Sequence, residues 1–190
     1  MNITDRVAYD VDCMREYFRQ LFSFAESSAK PFVPESVESM AGTQFLPLGI
    51  AHLVRPDMAC NIYSLVDFWL AELCAYHQRR GHLSEAFDKF KKTKKAKGEC
   101  SDLHRYARYL SEIASLDLSA FQSSFDHLDA LREVRNILIH AGGHVSDKKR
   151  TVIERIPDIS IQTSLVVVTE PFILQSLDHA SQYLQAVAKA

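Results

Sequence analysis

The chain lacks most of the features that sort a sequence into a class at first sight. Its four cysteines, Cys13, Cys60, Cys74 and Cys100, are scattered, with neither metal-ligand nor redox spacing. They read as reduced thiols of a core, and the sequence predicts no bound metal and no cofactor. No carboxylate cluster suits a two-metal nuclease. Neither sign of charge dominates: 22 Lys and Arg against 24 Asp and Glu leave a net −2. The surface as a whole is therefore no polyanion magnet, and any such site must be local. Asp5, Arg6, Asp10 and Asp12 interrupt the opening stretch, which argues against a signal peptide, and no apolar run is read as transmembrane. A cytoplasmic protein without membrane contact is expected. Internal repeats and low-complexity tracts are missing as well.

What is present fits one compact unit. With 190 residues, 47% of them hydrophobic and 24% charged, a single core is favoured. The expected division is residues 1–56, an N-terminal helix with a proline-containing loop, and residues 57–190, the core. Val7, Val11, Met14, Phe18, Leu21 and Ala25 recur at three- and four-residue steps, which predicts an amphipathic first helix. Pro31, Pro34, Pro47 and Pro56 make Lys30 to Pro56 mostly loop. Asp57 is placed to cap a long buried helix carrying Ile62, Leu65, Val66, Trp69, Leu73 and Tyr76 and ending near Gly81. A short helix over Ser84 to Lys92 and one capped by Ser101 follow. Thr151 to Ile156 and Ile159 to Thr169, split by Pro157-Asp158, predict a hairpin, and Glu170-Pro171 opens a final helix. The predicted class is mainly all-α: a bundle of five to six helices with a small β-hairpin before the C-terminal one.

The chemistry concentrates in Arg135-Asn136-Ile137-Leu138-Ile139-His140, followed by Ala141-Gly142-Gly143-His144. Leu116 to His140 contains no Gly or Pro and the glycine pair supplies a stop, so one helix is predicted over that span. Leu131, Val134, Leu138 and Ala141 form its apolar seam, widened by Leu128, Ala130, Ile137 and Ile139, while Arg132, Asn136 and His140 succeed one another on the other side. Arg135 falls inside the apolar arc, where a charge needs a partner or a reason. One reading is structural: Arg135 pairs with Asp126, Asp129 or Glu133 of a neighbouring chain, and His140 meets the negative end of its helix dipole. The other is a working site, with a guanidinium that grips phosphate and an imidazole that moves a proton.

This segment, together with the layout from Asp57 onward, resembles the HEPN superfamily, whose motif is Arg, four to six residues, then His, often with Asn after the Arg. The resemblance implies a HEPN-like helical bundle and metal-independent cleavage of RNA by attack of the 2′-hydroxyl. It casts Arg135, Asn136 and His140 as catalytic; His144, close behind the motif, is either an accessory group or an incidental loop histidine. It also implies paired motif helices in a homodimer. Arg135 and His140 lie about 140° apart around one helix, which agrees with a site completed by a second copy. RNA is the expected substrate, and an antitoxin or a defence-complex partner is expected for a toxin or anti-phage effector of this kind. The alternative is a non-catalytic HEPN-like module for dimerisation, RNA or nucleotide binding within a larger complex. Gly142 stands where some toxins of the superfamily carry a modified Tyr, which disfavours that variant. The basic run holding Lys91, Lys92, Lys94 and Lys95 is either a solvated linker or a contact to the RNA backbone. Asp67, Glu72 and His77 are read as outer-face polar residues.

Overall fold

The computed structural model describes residues 1–27, 50–83, 85–93, 98 and 101–190. Seven helices and one hairpin follow in order: α1 (Ile3–Ser27), α2 (Ile50–Arg80), α3 (Phe87–Phe90), α4 (Asp102–Glu112), α5 (Gln122–His140), α6 (Asp147–Ile153), β1 (Ile159–Gln162), β2 (Leu165–Val168) and α7 (Glu170–Lys189). A 3₁₀ turn, Ser119–Phe121, leads into α5. The mainly helical architecture with a hairpin before the last helix is therefore as the sequence predicts. The proline-containing segment up to residue 49, and Lys94, Lys95 and Cys100, lie outside the described residues.

α2 is the hub, packing against α1, α4, α5 and α7, while α1 also lies along α7. Met58, Ala59, Ile62, Val66, Trp69, Leu70, Leu73 and Cys74 supply its buried side chains. Each fully buried Leu, Ile or Val stabilises the fold by roughly 1.5–3 kcal/mol, so this helix carries much of the apolar driving force. Within α2, Val54–Arg80 is long and apolar enough to cross a membrane by length and composition, contrary to the sequence reading; here one face of it packs inside the bundle while Phe68 is exposed on another. The Trp69 indole donates to Asp10 Oδ2 at 3.1 Å, fixing α1 against it.

Four local expectations need correction. α2 starts at Ile50 and contains Pro56, so Asp57 is not its cap. The proline sits in the second turn, where it forfeits one i→i−4 bond while Val54 and Met58 on either side pack on the core. α5 starts at Gln122, not Leu116: Asp117 Oδ1 accepts the Ser119 N–H at 3.0 Å, a local turn that competes with helix. Thr151 to Ile156, expected as a strand, instead form the end of α6 and the turn after it, because Ile153 and Ile156 meet the core three residues apart. Both strands instead come from the second predicted segment, paired Ile159↔Val168 through Gln162↔Leu165. Thr163 makes the reversal with φ 60, and the Ser164 N–H returns to the Gln162 carbonyl.

The Ser101 cap is as predicted, its Oγ accepting the His104 N–H at the start of α4, and α7 opens on the expected Glu170-Pro171 with Thr169 as its cap. Past His140 the helix ends on Gly142 (φ 57) and Gly143 (φ 84), a left-handed pair that suits glycine. The Gly143 carbonyl then accepts from Val166, and the Val145 N–H donates to Ser164. The chain leaving α5 is thus stitched to the hairpin, which fixes His144 beside the helix end.

Candidate active site at the end of the motif helix

Two surfaces meet at the C-terminal end of α5. The first is a depression of about 390 Å³ lined by Asn136, Ile137, His140, Ala141, His144, Ser146 and Lys149. Asn136 and His140 reach it because four residues bring a side chain back to nearly the same helix face. His144 reaches it through the glycine turn, with Nδ1 3.1 Å from Ser164 Oγ. Three of the four predicted site residues therefore share one hollow.

Arg135 does not line that hollow. It is half-buried and faces α2, its guanidinium carbon 5.8 Å from the centre of the Tyr63 ring. Its Nη1 donates to Asn136 Oδ1 at 3.2 Å, and among the described residues it has no ion pair. Burial pushes the Tyr63 hydroxyl up to about 12, with the Asp67 carboxylate adding to the shift and Arg132 and Arg135 opposing it. Tyr63 is therefore a neutral donor at physiological pH. Asp67 is half-buried, not on the outer face as expected; burial and Asp102 raise its carboxyl, against a Tyr106 hydrogen bond and the Lys91 and Arg135 charges. His77 is also buried, with Nε2 2.7 Å from the Val187 carbonyl oxygen, so it belongs to the α2–α7 contact.

The acids expected to neutralise Arg135 are already engaged within the chain. Asp129 and Glu133 bind Arg132 at 2.7 and 2.6 Å, and Glu133 also binds Lys149 at 2.6 Å. Arg132 was placed on the polar side by its four-residue spacing, yet it is only 8% exposed. The reason is this pair of carboxylates, which lets the guanidinium be buried with its charge matched. Lys149 and Tyr63 were both missed by reading the sequence. Nothing in a local pattern connects them to the motif, since they arrive from α6 and α2.

The apolar arc of α5 also breaks at this end. Leu128, Leu131, Val134 and Ile137 are buried, but Ile139, four residues after Arg135 on the same face, is 50% exposed. Ala141 is exposed too. In the basic run, Lys91 is bound to Asp102 at 3.0 Å, whereas Lys92 is exposed. No group of three or more His, Cys, Asp and Glu side chains among the described residues is placed to hold a metal ion.

No protein family, curated protein or solved structure matches the chain.

Proposed function

We propose that this protein is a HEPN-type, metal-independent endoribonuclease acting as a homodimer, in the manner of a toxin or anti-phage effector. The observation that carries the reading is Arg135: a half-buried guanidinium that makes no ion pair among the described residues, on the helix face that ends in the exposed Ile139. A half-buried cation without an ion pair and an exposed apolar side chain next to it suit a face that another surface meets. A second copy related by a two-fold axis would lay Ile139 against its counterpart and bring two Arg135 and two His140 groups into one cleft.

In such a cleft, one imidazole takes the proton from the ribose 2′-hydroxyl as its oxygen attacks phosphorus. The bond to the 5′-oxygen breaks, that oxygen takes a proton from water, and the imidazolium releases its own proton to solvent. Arg135 meets the growing negative charge on the phosphoryl oxygens with a fixed cation. Asn136, bonded to Arg135 and lining the His140 hollow, links the two groups. The products are a 2′,3′-cyclic phosphate and a 5′-hydroxyl.

The test is cleavage of single-stranded RNA in excess chelator. Cyclic phosphate ends are expected, and a substrate with 2′-deoxy sugars should resist. Cutting of the deoxy strand, or dependence on a divalent ion, contradicts the mechanism. If no RNA is cut by protein free of any partner, the non-catalytic interaction module is the better description.

A further inference from the structure

Resting on that nuclease reading, we infer that Lys149 seats a backbone phosphate of the bound RNA strand next to the one being cleaved, as the cation that each protomer supplies to its own His140 hollow. Arg135, the cation of the motif, faces α2 and does not line the hollow that holds Asn136, His140 and His144. Lys149 does line it. In a paired site, Lys149 is thus the cation that each chain adds to the hollow of its own His140.

The local wiring suits a ligand-binding lysine. Lys149 Nζ is held 2.6 Å from Glu133 Oε2, which aims a flexible side chain that is still 49% exposed. Glu133 does not depend on it, because Arg132 binds its other oxygen at 2.6 Å. An ammonium has three donors, and one contact to Glu133 leaves two for phosphate oxygens. Lys149 is half exposed and, although Glu133 is only 17% exposed, Arg132 keeps that carboxylate paired, so removing Lys149 leaves the fold standing. Lys148, next along α6, is also exposed but does not line the hollow, and it serves as the matched control.

The experiment measures binding of a mixed-sequence, single-stranded 2′-fluoro oligonucleotide, which lacks the nucleophile, across a salt series. Lys149→Gln should weaken binding about five- to tenfold at low salt and flatten the log–log salt slope by about 0.7, the value for one phosphate contact on a single strand. Lys149→Arg should keep both, and Lys148→Gln should change neither. With cleavable RNA, Lys149→Gln should raise KM more than it lowers kcat. Equal losses in the two Gln variants, or a loss confined to kcat, would overturn the assignment. The two proposals fail separately. RNA cut normally by Lys149→Gln removes the phosphate seat and leaves the nuclease. A wild type that cuts nothing, yet loses binding selectively in Lys149→Gln, removes the nuclease and leaves the seat.

Discussion

The two halves of α5 carry similar side chains and use them in opposite ways. In the N-terminal half, His127 Nε2 lies 2.9 Å from Ser176 Oγ, and its ring stacks on His179 at 4.4 Å. His179 Nδ1 is 3.1 Å from Ser124 Oγ, which donates to Gln182 at 3.0 Å. Ser124 and His127 thus both find polar partners on α7. In the C-terminal half, His140 is exposed and Arg135 makes no ion pair among the described residues. A histidine bonded across a helix–helix contact holds the fold, whereas one left open to solvent is available for chemistry. Histidine on a helix thus says little; its partners decide.

The sharpest way to break this contrast is to remove one histidine from each half. His140→Ala should lower kcat about 100- to 10,000-fold with an unchanged melting temperature, because only a proton-transfer group is lost. His127→Ala should do the reverse, costing about 1–3 kcal/mol of stability by stranding Ser176 while folded molecules keep their turnover. Thermal melts alongside single-turnover cleavage separate the two. If both variants simply melt early, the difference between the halves is not real.

Next in size is the uncovered face. Ile139→Glu places a charge where two copies are proposed to meet and should shift the protein towards monomer in analytical ultracentrifugation, with activity recovering as concentration rises. A wild type that sediments as a monomer at micromolar concentration, with and without RNA, removes the basis for the paired site.

A smaller effect concerns acid. Burial, with His179 adding to it, holds the His127 imidazole down at about 4, from its usual 6.5. The unfolded chain takes up a proton near its ordinary value while the folded chain does not. Stability is therefore full above about 6.5, declines as pH falls towards 4, and levels off below, a loss of at most about 3 kcal/mol from this group. Denaturant melts across that window check it, and His127→Asn should flatten the dependence. The smallest expected change is at the basic run. Lys92→Gln, with Lys91 already bound to Asp102, should alter RNA affinity less than twofold if the run is only a solvated linker.

Helix positions were legible where periodicity and caps agreed, as in α1, α4 and α7, and the glycine pair marked the end of α5. Thr151 to Ile156 misled because β-branched Thr151, Val152 and Ile153 favour strand locally, and packing of Ile153 and Ile156 overrode that preference. At the site, Asn136 and His140 could be placed together by helical spacing alone. The ownership of Asp129 and Glu133 by Arg132, the approach of Lys149 from α6 and the Tyr63 ring beneath Arg135 could not. Those are contacts between elements, and a single chain read in order does not display them.

The most direct test mixes two inactive variants. Arg135→Ala and His140→Ala protomers, denatured and refolded together, should regain roughly a quarter of wild-type cleavage, since about half of the dimers are mixed and each retains one intact Arg–His pair across its two-fold axis. Cleavage that stays at the level of the separate variants, although mixed dimers form, would contradict a site shared between two copies.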